Sequence, residues 1–285
     1  MIHTIPQSML PAINKRRMRR RSASLTLLAG WALCAGQIDA APTLSVRIAF
    51  IGEAASDAHA GASQGIREAN VQGKFLALNY ELVDTQDIAA ARTAHVSAII
   101  VAGEAATLPA LAAQATGTPL LNVTAEEDSL RAPCIANLLH TIPSQAMRSD
   151  ALTQWRQKQA DSRAEARAWD ASAELYAGSQ LNKRYAEHAG RPMNDQAWAA
   201  WAAVKLVSDT VARLHSGDPA GLLTALRNDL AFDGQKGVDM SFRDNGQLRQ
   251  PLLLVEHGKI VGEAPVRGVV ANGGLDSLGP SACRE

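Results

Sequence analysis

Short apolar runs alternate with longer stretches in which apolar residues return every three or four positions. Residues 46–51 (VRIAFI) form the first apolar run and stop at Gly52, which predicts a strand. Ser56-Asp57 then introduces a helix rich in small residues over about 58–71, closed by Gly73. Leu78, Tyr80 and Leu82 alternate with Asn79, Glu81 and Asp84, the period-two pattern of a strand with one covered face. A short helix over 89–94 and a strand over 96–101 follow. Gly103-Glu104 then precedes a helix through Ala115, and Gly117-Thr118-Pro119 punctuates the entry to a strand over 120–123. Residues 135–139 supply one more apolar strand, and Pro143-Ser144 opens a helix through Trp155. Such alternation implies an α/β fold, a doubly wound parallel sheet with helices on both faces and right-handed crossovers.

The pattern changes after residue 156. Residues 157–173 (QKQADSRAEARAWDASA) are polar and alanine-rich, without apolar alternation, and predict helix or linker, not sheet. Leu181, Tyr185 and His188 mark one face of a helix ended by Gly190 and Pro192, and Asn194-Asp195 caps the next. In that second helix Trp198, Trp201, Val204, Val207, Val211 and Leu214 recur at helical spacing, a stripe that belongs in a core. A further helix covers 219–230. Val238, Met240 and Phe242 then alternate with polar neighbours as a strand, Asp244-Asn245-Gly246 reverses the chain, and residues 251–255 form a second strand. His257-Gly258-Lys259 turns into Ile260-Val261.

The stretch 232–262, with its phenylalanine, two glycines, Asp-Asn-Gly turn and closing Gly-Lys-Ile-Val, resembles the C-terminal signature of type I periplasmic solute-binding proteins of the leucine/isoleucine/valine-binding type. GQLRQPLLLVEHGKIV is similar to the subgroup that accompanies pyrroloquinoline-quinone-dependent alcohol dehydrogenase systems. Asn70-x-x-Gly73-x-Phe75-Leu76, Leu121-Asn122-Val123, the run from Asn137 to Ser144, Gln180-Leu181-Asn182, Ala189-Gly190-Arg191 and Trp198-Ala199-Ala200-Trp201 extend the likeness over most of the chain. The departure is residues 157–173, where a complete two-lobed member places a second βαβαβ unit. The resemblance therefore implies one lobe over 41–156, a mainly helical segment over 157–231 that replaces most of lobe two, and a C-terminal β-hairpin and tail over 232–285.

Composition alters this picture at the N-terminus. Of 285 residues, 47% are hydrophobic and 20% charged, enough to bury a core. Residues 1–40 hold six basic residues between Lys15 and Arg21, then an apolar stretch over 25–35, then Ala40-Ala41, which reads as an export signal cleaved near Ala40 and places the product in the periplasm. Met18 is an alternative start. The Arg19-Arg20-Arg21 run leaves twin-arginine export open beside the ordinary secretory route. Removing the segment from 28 Lys+Arg and 28 Asp+Glu leaves 22 and 27, a net of −5. That balance disfavours nucleic acid as a partner, and no membrane insertion is expected once the signal has gone. Of three cysteines, Cys134 and Cys283 remain. An exported pair invites a disulfide, two unpaired thiols being the alternative, and the likeness of the tail over 275–284 to the family's, cysteine included, favours the bridge.

Motifs of catalysis are missing. Neither a Gly-x-Ser-x-Gly elbow nor a phosphate loop occurs, the glycines at 52, 61 and 65 make no dinucleotide fingerprint, and the seven histidines show no metal-binding spacing. A non-enzymatic chain without cofactor or metal is expected. In open parallel sheets a ligand sits beyond the carboxyl ends of the strands. The loops there carry Glu53 and Ser56, Gly103 and Glu104, and Asn122, Thr124, Ala125 and Glu126. The resemblance aligns Thr124 and Ala125 with the loop that grips an α-carboxylate and α-amine, which implies a small carboxylate or alcohol-derived solute delivered to an ABC permease. Glu53 and Glu104 would repel an anion. The second reading is an accessory protein that docks a periplasmic dehydrogenase or electron-transfer partner. Glu126-Glu127-Asp128 reads as a solvated loop with helix-capping acids in preference to a calcium site. His140 reads as a structural histidine.

Overall fold

The computed structural model describes residues 43–270 and 274–283; the export signal expected over 1–40 lies outside them. Five parallel strands form the main sheet: β1 (Leu44–Ile51), β2 (Leu78–Asp84), β3 (Ala98–Val101), β4 (Leu120–Asn122) and β5 (Leu138–His140), in the order β2-β1-β3-β4-β5. The doubly wound fold predicted from the alternation is thus present. Its strands are shorter than the apolar runs, with β3 beginning at Ala98 and β5 at Leu138, because neighbouring backbones meet only where the register allows.

Helices cover both faces. On one side lie α1 (Asp57–Leu76) and, from far along the chain, α6 (Asp195–Leu214), whose Trp198, Trp201, Val204, Val207 and Val211 are buried as the stripe predicted; Leu214 is half-exposed at the helix end. On the other side α2 (Ile88–Thr93) and α3 (Leu108–Gln114) bury Ile88, Ala91, Leu108 and Ala112. The first helix runs past Gly73 to Leu76. Gly73 is needed for a different reason, since a Cβ there would strike the Leu78 carbonyl at the tight passage into β2. Asn70 fixes the same corner, donating from Nδ2 to the Tyr80 carbonyl and accepting from the Tyr80 amide, each at 2.8 Å.

Helix α4 (Gln145–Lys158) starts from an N-cap at Ser144 as expected. Residues 157–173 do not stay helix or linker: β6 (Glu165–Arg167) pairs antiparallel with β7 (Leu252–Glu256), which pairs in turn with β8 (Lys259–Ala264). A strand of only three residues shows no periodicity of its own, and β7 supplies its hydrogen-bond partners. The segment over 157–231 also holds α5 (Gly178–Ala189), α6 and α7 (Pro219–Asn228). In α5 Leu181 and Tyr185 are buried, but His188 is exposed, contrary to the face inferred from sequence.

The C-terminal hairpin is real but displaced. Its arms are β7 and β8 around His257-Gly258, whereas residues 238–242 form no strand beyond a single bridge from Phe242 to Leu248. Asp244-Asn245-Gly246 does turn the chain. Gly246 has φ +77°, and its α-carbon can carry no side chain because a Cβ there would strike the Leu138 carbonyl. The chain leaving that turn lies along the edge of β5, with the His140 amide donating to the Gly246 carbonyl at 2.8 Å and the Leu248 amide to the His140 carbonyl at 3.0 Å. An exposed sheet edge is thereby covered. Cys134 and Cys283 are joined, with Cα atoms 5.6 Å apart, so the tail is tied to the loop before β5.

Candidate functional site

Strand order 2-1-3-4-5 reverses between β1 and β3, so the crevice for a ligand opens at the carboxyl ends of those strands. Of the three predicted loops, those after β3 and β4 border one depression there, while Glu53 and Ser56 of the β1 loop do not line it. Glu53 is exposed, and its carbonyl accepts from the amide and hydroxyl of Ser56 at 3.1 and 2.6 Å. Ser56 is the N-cap of α1 and accepts from the His59 amide. Glu104 is exposed in the β3 loop. Gly103, Glu104, Thr124, Ala125, Glu126 and Gln196 border an open depression of about 740 Å³.

Asn122 organises the β4 loop from a fully buried position. Its Oδ1 accepts from the amides of Thr124 at 3.2 Å and Ala125 at 2.9 Å, while Nδ2 donates to the Ala125 carbonyl and to His140 Nδ1. The Thr124 hydroxyl donates to the Gly103 carbonyl at 3.0 Å, which ties the β4 loop to the β3 loop. Donors that the resemblance assigns to a ligand carboxylate are thus engaged within the chain. Arg131, buried behind the loop, donates to the carbonyls of Ala125, Glu127 and Ile142 and to Gln247. Burial lowers its pKa to about 10, opposed by Asp128, Glu126 and Glu127, so it remains a cation at neutral pH.

Sequence reading missed the charged belt beside this depression. Arg148 of α4 reaches both Glu126 and Asp195, each at 2.7 Å; Arg191 pairs with Asp57; Arg167 pairs with Asp170 at 2.7 Å. Arg167, Arg191 and the carboxylates of this belt, with Trp169 and Gly258, line a second, adjoining depression of about 800 Å³ that shares Glu126 and Gln196 with the first. Asp57 and Asp195 occupy the first turns of α1 and α6, where the helix dipole favours a carboxylate. Asp128 accepts from the Ala146 amide at the start of α4, the capping role expected of the acidic loop. The N-termini of α1, α4 and α6 are therefore capped by the chain's own oxygens, whereas α3 has no side-chain cap. The helix starts Ser56-Asp57 and Asn194-Asp195 and the loop residue Glu126 were the sequence signals for this belt; Arg148 and Arg191 reach their partners through tertiary folding alone.

No group of three or more His, Cys, Asp or Glu side chains that could hold a metal occurs among the described residues. His140 is buried, accepts from Asn122 at Nδ1, and has its pKa pushed well below the usual histidine range by desolvation and then by Arg131. A lowered pKa in the folded state means that, as pH falls through about 6.5, the unfolded chain takes up a proton the folded chain refuses. Stability is therefore whole above that pH and lost below it. Between about pH 7.5 and about pH 5.5 the protein is expected to lose about 1.4 kcal/mol more than His140→Gln, whose side-chain oxygen can still accept from Asn122. Urea unfolding of both proteins at the two pH values checks this, and parallel losses would assign the acid sensitivity elsewhere.

No protein-family model and no curated protein matches the chain. Among solved structures it is similar to a branched-chain amino acid ABC transporter periplasmic ligand-binding protein from Burkholderia xenovorans LB400, with a TM-score of 0.65 and 12% identity over 77% of this chain and 95% of that one. The closed leucine-, isoleucine-, valine-, threonine- and alanine-binding protein of Brucella ovis gives a TM-score of 0.63 at 12% identity, covering 75% and 89%. A solute-binding protein of an ABC transporter from Rhodopseudomonas palustris BisB5, in complex with 3,4-dihydroxy benzoic acid, gives 0.58 at 12%, covering 77% and 94%. At such identity the likeness is one of fold.

Proposed function

We propose that this chain is an exported homologue of the substrate-binding proteins of ABC-type transport systems, reduced in its second lobe, that serves pyrroloquinoline-quinone-dependent alcohol oxidation in the periplasm as an accessory protein. On this reading it docks a periplasmic dehydrogenase or an electron-transfer partner through the strand-end face. The fold shared with the Burkholderia and Brucella proteins supports the descent, and the sequence resemblance of residues 232–262 supports the link to alcohol oxidation.

One observation favours docking over solute capture. The Thr124 and Ala125 amides are held by Asn122, and the guanidinium groups of Arg148, Arg167 and Arg191 are each paired with the chain's own carboxylates. A free carboxylate would have to displace one of these partners. An open face also leaves most of a small ligand wet, where tight sites bury roughly 70–90% of it. The alternative of a transport component that delivers a small carboxylate or alcohol-derived solute to a permease keeps the support of the solute-bearing structural relatives.

Calorimetric titration with amino acids, small carboxylates and alcohols, paired with cross-linking in periplasmic extract, separates the two. Affinities no tighter than about millimolar, with cross-links to a dehydrogenase or cytochrome lost in Glu53→Arg/Glu104→Arg, are expected. Both glutamates are exposed, so folding is spared. A micromolar solute with measurable compaction would overturn docking and restore the transport reading.

A further inference from the structure

Against the small sheet β6-β7-β8, on the face that carries Leu253 and Ile260, lies a pocket of about 250 Å³. It exceeds the ~150 Å³ that accommodates a benzene ring. Its accessible walls are apolar and in part aromatic: Leu175 and Tyr176 are 67% and 55% exposed, and Ile260 is half-buried. Val261, next to Ile260, and Val238, next to the glycine that touches the Tyr176 ring, are exposed as well. The Tyr176 ring lies in the space a side chain at Gly237 would fill, so its place depends on that glycine. Tyr176 and Ala177 are consecutive non-glycine residues in the left-handed region, with φ of 51° and 68°. Surrounding contacts must impose such backbone, and ligand clamps are among the places where it persists.

Two carboxylates open on these apolar walls. Glu174 and Glu263 line the pocket, both are exposed, and among the described residues neither has an ion-pair partner. Other acids around the small sheet are engaged: Glu165 and Asp170 pair with Arg167, and Glu256 accepts from the Arg163 amide. Carboxylates alone would simply be solvated. Beside a ring and aliphatic walls they form the combination that recognises an ammonium group, since the ring quadrupole and the acids attract its charge while its apolar body covers the walls. Lys236, which also lines the pocket, does not cancel them. It is buried, its Nζ donates to Gln250 Oε1 at 2.8 Å and to the Pro251 carbonyl at 3.0 Å, and desolvation pulls its pKa well below the usual lysine value, with Asp195 and Glu263 opposing. Whatever charge it keeps is outnumbered by the two carboxylates at the mouth.

We infer that this pocket binds a compact organic ammonium ion, its apolar body against Leu175, Tyr176 and Ile260 and its charge between the Tyr176 ring and the carboxylates of Glu174 and Glu263. The site is distinct from the strand-end face and stands or falls without the docking proposed for that face.

Benzylamine, benzyl alcohol and benzoate, alike in size and different in charge, test the claim by calorimetry on the purified protein at neutral pH, where the amine is protonated. At low ionic strength benzylamine should bind about tenfold tighter than benzyl alcohol, the combined value of an exposed ring and two exposed carboxylates, and tighter than benzoate. Salt at about 0.5 M should screen this preference to about threefold or less. Glu174→Gln/Glu263→Gln, at two exposed positions, should do the same at low salt by weakening the amine and not the alcohol. Ile260→Trp, at a half-buried position of β8, should weaken both by about tenfold or more by filling the pocket. Failure of the native protein to bind benzylamine, equal or tighter binding of the alcohol or of benzoate, a preference that survives in the double variant, or binding unmoved by Ile260→Trp would each overturn it.

Discussion

Reduction of the Cys134–Cys283 bridge is expected to remove about 5 kcal/mol of stability, the largest single effect in this protein. The two cysteines are 149 positions apart, and in the chain-entropy model a closed loop of that length restricts the unfolded ensemble by about that much. The folded state gives little back, because the tail is held by other contacts as well. Arg243 donates to the Leu275 carbonyl and pairs with Asp276, the Asn245 amide donates to the Pro280 carbonyl, the Gly279 amide donates to Asp150, and Leu278 is buried. The reduced chain should therefore keep its fold and lose thermal resistance, with a midpoint about 10–20 °C lower for a chain of this size. Calorimetry with and without a phosphine reductant, with Cys134→Ser/Cys283→Ser as a second route, measures the shift. Thiol titration of the unfolded, unreduced full-length chain should count one group, Cys34, of the three cysteines. Unchanged midpoints, or three reactive thiols, would remove the bridge from the account.

Gly61→Leu is expected to cost about 3 kcal/mol or more, with a midpoint lowered by roughly 6–12 °C. Helices α1 and α6 run side by side in the same direction, Gly61 against Ala197 and Gly65 against Trp201 and Val204. A Cβ on Gly61 would strike the Ala197 carbonyl, and backbone cannot rotate aside as a side chain can. The helices must then separate, which uncovers Trp198, Trp201 and Val204 and leaves the Trp201 indole without Glu68, its acceptor at 2.9 Å. Gly103→Ala serves as the control, since its Cβ would meet Val101 and Thr107 at 3.4 and 3.7 Å, ordinary contacts. That variant should stay within about 0.5 kcal/mol of the native protein. Equal unfolding midpoints for the two variants would mean that the α1–α6 contact is looser than its geometry implies.

Much of the fold was legible because its signals are local. The apolar runs of β1, β3 and β4, the period-two alternation of Leu78, Tyr80 and Leu82 in β2, and the caps Ser56, Ser144 and Asn194 each act within a few residues, so one chain read in order reveals them. The stripe from Trp198 to Val211 announced a buried helix for the same reason. That the β3 and β4 loops lie side by side could be expected from strand order alone, since a doubly wound sheet brings successive carboxyl-end loops to one edge.

Other features arise only when distant segments meet. Strand β6 lies in a polar, alanine-rich stretch and is a strand because β7, about ninety residues later, offers an unpaired edge. The alternation of Val238, Met240 and Phe242 promised a strand that no neighbour completes, so the hairpin moved to β7 and β8. His188 has the helical spacing of a buried face but meets solvent, because the core lies under Leu181 and Tyr185. Arg148 joins Glu126 to Asp195, and Asn122 turns the amides of Thr124 and Ala125 inward, contacts that no spacing encodes. By itself the sequence determined the strands and helices of the parallel sheet and the buried face of α6, since backbone propensity and apolar period are properties of neighbours along the chain. Only the tertiary structure decided which donors remain free for a ligand, because that depends on whichever acceptors the fold brings beside them.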